Sequence, residues 1–220
     1  RARSAPARVT RQPVPGHADR DFRPDRALAL PRVLVPIADP DLPAVTYPEA
    51  SPGEAVIRVR ACGICGSDLQ TNVDKTAPDE RPAGHEVGGE VVEIGDGVDP
   101  SLLGQRVAAE LVGLARACNN CWYCRQGQFR VCLNPAPRGD GGGFAEYMKR
   151  KATAFCPIPD SMSWEEAALV EPFAVSIHGV RRGELKGGET VAVLGSGTIG
   201  LMAIAAARAM GAGKIIATAR

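Results

Sequence analysis

The sequence predicts two architectures in series, a partly closed β-barrel over roughly residues 26–155 and then the opening strand, helix and strand of a doubly wound, Rossmann-type α/β sheet. Three observations carry this. Short valine-rich runs are joined by glycine turns, with no long amphipathic helix among them; a helix-capping pattern at Ser163 marks a change to helical sequence; and Gly195-Ser196-Gly197-Thr198-Ile199-Gly200 stands between an apolar strand and an apolar helix. The predicted division is a disordered extension over 1–25, a barrel domain over 26–160 and an incomplete nucleotide-binding domain over 161–220.

The first 26 residues hold seven arginines with several prolines and alanines and show no apolar periodicity. An Arg-rich, acid-poor start is shared with organelle transit peptides, but serine is scarce and the chain does not begin with Met, so a partial or mis-started reading frame is the expectation. From Ala55 to Ala61 the pattern alternates, with Ile57, Val59 and Ala61 on one face and Arg58 and Arg60 on the other: a half-buried strand. Val87 to Ile94 reads as a second strand, closed by the turn Gly95-Asp96-Gly97, and Gln105 to Val112 as a third.

Composition excludes several function classes. Of 220 residues, 45% are apolar and 23% charged, as in ordinary globular proteins. Lys+Arg 26 against Asp+Glu 25 gives a net charge of +1, so neither nucleic acid nor an anionic membrane is an expected partner, and a small molecule is. The most apolar run, Val191 to Ala207, is interrupted by Gly195, Ser196, Gly197, Thr198 and Gly200 and does not read as a membrane span. Seven cysteines, an odd and clustered number, suit metal ligation in a reducing compartment better than a disulfide framework; the expected location is cytoplasmic.

Ala61-Cys62-Gly63-Ile64-Cys65-Gly66-Ser67-Asp68-Leu69-Gln70, with Gly84-His85-Glu86 downstream, supplies a thiol, a hydroxyl, an imidazole and carboxylates. These groups bind a borderline-soft metal and move protons. A catalytic zinc takes three such ligands and keeps one position open, and Cys65, His85 and a later carboxylate would suffice. Cys62-Gly-Ile-Cys65 also suits a thiol–disulfide oxidoreductase, and His85 alone suits a hydrogen-bonded structural role.

The strongest local signal is Cys118-x2-Cys121-x2-Cys124-x7-Cys132. Four thiolates in one loop can enclose a tetrahedral ion and leave no place for substrate, so a structural zinc is expected; an iron–sulfur cluster is the alternative, against which the last spacing departs from the bacterial ferredoxin run. Trp122, Tyr123 and Phe129 are expected to pack around this lobe.

Ser163-Trp164-Glu165-Glu166 is a capping box opening a short helix. Glu171-Pro172 follows, and proline at a first helical position would place Glu171 at the mouth of a second helix running through Val180, with His178 structural. Thr190 to Leu194 is an apolar strand, Leu201 to Met210 a helix and Lys214 to Thr218 a second strand. Between strand and helix, Gly195, Gly197 and Gly200 with Thr198 and Ile199 allow a tight turn and close approach of a pyrophosphate to helix N–H groups. A glycine-rich turn without a ligand is the plainer alternative. NAD-binding units usually end the second strand on an acid; Ala219 and then Arg220 stand there, which favours NADP over NAD.

Taken together, Gly63-Ile64-Cys65-Gly66-Ser67-Asp68, Gly84-His85-Glu86, the four-cysteine lobe, Glu171-Pro172 and the glycine loop resemble the zinc-containing medium-chain alcohol and polyol dehydrogenases, the branch of sorbitol and butanediol dehydrogenases. The resemblance implies a GroES-like barrel joined to a Rossmann domain, an active site in the cleft between them, catalytic and structural Zn2+, NAD or NADP, an alcohol substrate, and homodimers or homotetramers at full length. It implies Cys65 and His85 as zinc ligands, Glu171 at the place of a third ligand that is cysteine in classical alcohol dehydrogenases and glutamate in the polyol branch, Glu86 completing the shell or exchanging with substrate oxygen, Asp68 holding the His85 ring and Ser67 accepting the alcohol proton. Gln70 stands where many relatives carry a relay histidine, and the chain stops after the second Rossmann strand, which implies a fragment of a longer product, inactive alone. A non-catalytic zinc-stabilised protein is the remaining alternative.

Overall fold

The computed structural model describes residues 47–73, 83–111, 113–136 and 141–219. The expected extension at 1–25, the strand end at Val112 and the cofactor candidate Arg220 lie outside them. Five strands, β1 (Glu54–Gly63), β2 (Glu86–Ile94), β3 (Arg106–Ala109), β4 (Tyr147–Lys151) and β5 (Phe155–Pro157), form an antiparallel sheet in the order β4-β1-β2-β3-β5. The helices are α1 (Gly66–Val73), α2 (Trp122–Arg125), α3 (Trp164–Ala168), α4 (Val170–Arg182) and α5 (Thr198–Ala209).

The two edges of this sheet, β4 and β5, are separated in sequence only by Ala152–Ala154. Laid flat, five strands would hold their edges about 19 Å apart, whereas the chain from Lys151 to Phe155 reaches at most about 14 Å. The sheet therefore rolls, and the predicted partly closed barrel follows from connectivity. Inside it, Ala55, Ile57, Val87, Val91, Val107, Ala109, Met148 and Phe155 form one core. Each large aliphatic side chain there contributes about 1.5–3 kcal/mol.

Two predicted strands differ in detail. In β1 the alternation holds, Ala55 and Ile57 lying in the barrel core with Val59 packed against it, but Val56 on the opposite face is fully buried too, where a half-buried strand is expected, since α3 packs against β1 and β2. The register slips between Val56 and Ile57 and again between Val59 and Ala61. β3 ends at Ala109 rather than Val112. There the Glu110 N–H donates to the Ala154 carbonyl, and the Glu110 carboxylate accepts from the N–H groups of Gly113 (2.5 Å) and Ala115 (3.2 Å), turning the chain away.

The capping box at α3 forms in both directions: Ser163 Oγ accepts from Glu166 N–H (3.1 Å) and the Glu166 carboxylate accepts from Ser163 N–H (2.7 Å). Leu169 both closes α3 and opens α4, so Pro172 is the third residue of α4 rather than the first. Proline is tolerated there because the first N–H groups of a helix have no intrahelical partner. β6 (Thr190–Leu194) and β7 (Lys214–Thr218) pair in parallel across α5. α5 begins at Thr198, three residues before the predicted start. No helix among the described residues is long and apolar enough to cross a membrane.

Candidate active site and metal centres

Strand pairing assembles the first donor cluster. Gly63, last residue of β1, lies opposite Glu86, first residue of β2, which sets the loop carrying Cys65 beside His85 and Glu86. Ligand atoms of Cys65, His85 and Glu86 all lie within 4.8 Å of one another. Zinc at its usual bond lengths needs such donors about 3.3–3.8 Å apart, inside that limit, and a thiol, imidazole and carboxylate are its preferred chemistry. Gly63 makes the room: a Cβ there would stand 2.1 Å from Glu86 Oε2.

Asp68, buried on α1, accepts the Cys65 N–H on Oδ2 (2.9 Å) and lies 3.4 Å through Oδ1 from His85 Nδ1. One carboxylate thus fixes both the Cys65 loop and the imidazole, leaving Nε2 as the ring's donor atom. Ser67 is exposed on the same helix, one residue before Asp68. Gln70 lies on α1 by its backbone, and its side chain falls outside the described set. Glu171 does not join the three-residue cluster. Burial raises its pKa, and the Glu86 and Glu110 carboxylates add to this, against the opposing influence of His85. It stands close enough to feel the site without sharing its donor distances. His178 is exposed on α4.

Cys62 belongs to the core rather than to this cluster. It packs against the barrel cluster, and a Cβ on Gly84 or Gly143 would meet its sulfur at 2.8 or 2.7 Å. Burial, then the carboxylates of Asp68 and Glu86, push its thiol up to about 12. Such a thiol is a poor nucleophile for disulfide exchange.

The four cysteines of the lobe come together in space. Ligand sulfurs of Cys118, Cys121, Cys124 and Cys132 lie within 4.8 Å of one another, with Cys118 to Cys124 and Cys121 to Cys132 each at 4.0 Å. That is far beyond a disulfide bond and close to the roughly 3.8 Å edge of a tetrahedron with zinc–sulfur bonds of about 2.3 Å. Backbone N–H groups already point at the sulfurs, Cys121 to Cys118 Sγ and Cys118 to Cys132 Sγ, both at 3.3 Å. N–H groups of Leu133 and Cys124 hold Cys121 at about 6, those of Asn120 and Cys121 lower Cys118, and burial drives Cys124 up to about 12. A bound dication would ionise the last of these. Asn119, at φ 57°, turns the chain between the first two cysteines. Trp122 meets Tyr123 edge to face at 5.1 Å yet stays largely exposed.

Two supports of the lobe escape local sequence reading. Glu110 caps the turn leading into it, and Lys151 Nζ on β4 donates to the Ala117 carbonyl at 2.8 Å. Only the Glu-x-x-Gly spacing hints at the first, and nothing local signals the second.

At the glycine loop, Gly195 has φ +101°, and a Cβ on Gly200 would stand 1.9 Å from the Gly195 carbonyl, so the first and third glycines serve the turn and the close strand–helix packing. A Cβ on Gly197 would meet nothing within 4 Å, and Gly197 caps α5 without a side-chain acceptor. Open space beside uncapped helix N–H groups suits a pyrophosphate. Gly195 N–H donates to Thr218 Oγ1 (3.2 Å) and Ser196 Oγ to the Thr218 carbonyl (2.9 Å), tying the loop to the end of β7, where Ala219 is exposed.

A rolled barrel sheet with a mixed N, S, O donor cluster, followed by a nucleotide-type strand, helix and strand, defines the zinc-dehydrogenase class. Residues 51–160 match the alcohol dehydrogenase GroES-like domain, and the chain belongs to the zinc-containing medium-chain alcohol and polyol dehydrogenases. It is 42% identical over 180 residues to sorbitol dehydrogenase of Bacillus subtilis (78% of this chain, 50% of the relative) and 39% identical over 186 residues to (R,R)-butanediol dehydrogenase of the same organism (79% and 53%). A zinc-binding dehydrogenase from Sinorhizobium meliloti bound to NADP superposes with a TM-score of 0.67 at 36% identity, covering 79% of this chain and 51% of that one. The chain thus spans about half the length of the curated relatives it matches.

Proposed function

We propose that the complete protein reversibly oxidises a secondary alcohol, of polyol or sugar-like type, to a ketone with hydride transfer to NADP or NAD. The observation that carries this is the Cys65, His85 and Glu86 cluster with Asp68 bracing its imidazole. When bound, zinc would supply Lewis acidity toward the alcohol oxygen and the nicotinamide would supply the hydride acceptor. Cys65 and His85 would hold the metal, with Glu86 or Glu171 completing the shell and Glu86 able to exchange with the substrate oxygen; the Cys65, His85 and Glu86 grouping supports Glu86 as the nearer of the two. Asp68 keeps the His85 ring in the tautomer that leaves Nε2 free, and the Ser67 hydroxyl would receive the alcohol proton. Gly195, Gly197, Thr198, Ile199 and Gly200 would seat the pyrophosphate, with Arg220 on a 2′-phosphate. Cys118, Cys121, Cys124 and Cys132 would hold the structural zinc.

The polyol preference rests on Glu171 and on the named activities of the relatives. The barrel domain would span 26–160 and the nucleotide-binding part 161–220, in a cytoplasmic dimer or tetramer. Cys65→Ser in the complete protein tests it: turnover should fall by more than the roughly 100-fold expected for losing a mere outer partner of a ligand, with the circular dichroism spectrum unchanged. Full activity in that variant would remove the assignment.

A further inference from the structure

We propose that Arg106 and Trp164 form a clamp that positions α4 and the glycine loop relative to the donor cluster, a proposal resting on the dehydrogenase reading of that cluster. Arg106 opens β3, opposite Glu90 of β2. Its guanidinium carbon lies 4.1 Å from the centroid of the Trp164 ring. One terminal nitrogen donates to the Asp160 carbonyl and the other to the Met162 carbonyl at 2.5 Å. The remaining nitrogen, Nε, is buried without a hydrogen-bond partner. Arg60 approaches the same ring at 5.9 Å and is itself held by Glu90 at 3.0 Å.

Each contact restricts a different freedom. The planar fork fixes the direction of the Asp160 to Met162 segment, and the stack on the indole fixes the rotation of Trp164, first residue of α3. An orphaned buried N–H is retained where the neighbouring contacts compensate it, which fits a guanidinium kept for its stack and its fork together. The seat beneath is made by Gly88 on β2, where a Cβ would stand 2.6 Å from that of Ala167 on α3.

From this seat the chain continues without slack. Leu169 is shared by α3 and α4, and Glu171 follows in the first turn of α4. The buried Ser176 hydroxyl of α4 lies 3.1 Å from the Pro172 carbonyl and 3.2 Å from the Ile199 carbonyl in the first turn of α5. Rotation of α3 about its seat would carry Glu171 and the loop Gly195 to Gly200 with it. Trp164 and Arg106 are thus positioning residues, acting through α3 and α4.

The test compares Trp164→Ala, Trp164→Phe and Arg106→Lys in the complete, zinc-loaded protein by kcat, KM, zinc content and backbone hydrogen exchange. Trp164→Ala should lower kcat about tenfold or more at saturating cofactor with zinc content unchanged, the cost of a small misplacement of reacting groups. Trp164→Phe, which keeps a ring face, should recover to within about threefold of the parent, whereas Arg106→Lys, which keeps charge without the fork, should resemble Trp164→Ala. Exchange across residues 169–176 should rise at least about threefold in Trp164→Ala. A Trp164→Ala enzyme within about twofold of the parent kcat, or equal losses of zinc and activity in the Ala and Phe variants, would overturn the clamp. If the parent oxidises no alcohol, the functional reading fails separately, and unchanged exchange at 169–176 in Trp164→Ala still overturns the clamp.

Discussion

The two donor clusters of this chain are opposites in construction. The lobe gathers four sulfurs from fifteen consecutive positions, Cys118 to Cys132, with backbone N–H groups directed at them. The Cys65, His85 and Glu86 cluster mixes three donor types, depends on the pairing of β1 with β2, and has a bracing carboxylate on one side and a second, uncommitted carboxylate, Glu171, nearby. A closed thiolate set exchanges no ligand and stabilises; an incomplete mixed set can admit a substrate oxygen. On the proposed assignment, the number of donors that the fold brings together would decide whether a bound zinc is open to substrate or closed.

The largest effect that could break this contrast is on stability. Cys124→Ser should lower Tm by about 10 °C or more and disturb assembly before chemistry, while Cys65→Ser should leave Tm within a few degrees, about 3 °C, of the parent. Equal melting losses in thermal scans of both variants would erase the distinction. A smaller effect concerns the cofactor partner of the open cluster. Ala219→Asp should shift the NAD over NADP preference about tenfold toward NAD, since a carboxylate accepts from a ribose 2′-OH and repels a 2′-phosphate. Steady-state kinetics with both cofactors check it, and an unchanged ratio would contradict the assignment of the β7 end. The smallest effect is at Cys62, which separates the dehydrogenase from a dithiol enzyme. Cys62→Ala should keep turnover within about threefold and cost about 1 kcal/mol in denaturant unfolding, as a core truncation does. Loss of activity on the scale of Cys65→Ser would favour the dithiol.

What was legible in the sequence follows the same division. The grouping of the four cysteines is legible because all four are local, and β6 and β7 are legible to the residue because turn glycines bound short apolar runs. The rolled sheet was readable as a class, but its closure needed the order of β4 and β5, which no local pattern carries. In β1 the alternation holds, with Ile57 and Val59 toward the barrel core, but it does not reveal that Val56 on the opposite face is buried as well, because the packing of α3 on the sheet is carried by no local pattern. α5 starts at Thr198 rather than Leu201 because Gly200, a turn former by local pattern, sits inside the first helical turn, where the lack of a Cβ lets α5 approach Gly195. Cys65 and His85 were readable as donors; that Glu86 rather than Glu171 shares their donor distances depends on the Gly63 to Glu86 pairing.

Metal analysis of the complete protein tests the contrast between the clusters most directly. Two zinc ions per chain are expected in the parent and one in Cys65→Ser, with the 118–132 loop still protected from proteolysis in both. A parent that holds only one zinc while that loop stays ordered, or a Cys65→Ser protein that keeps two, would contradict the assignment of an open and a closed site.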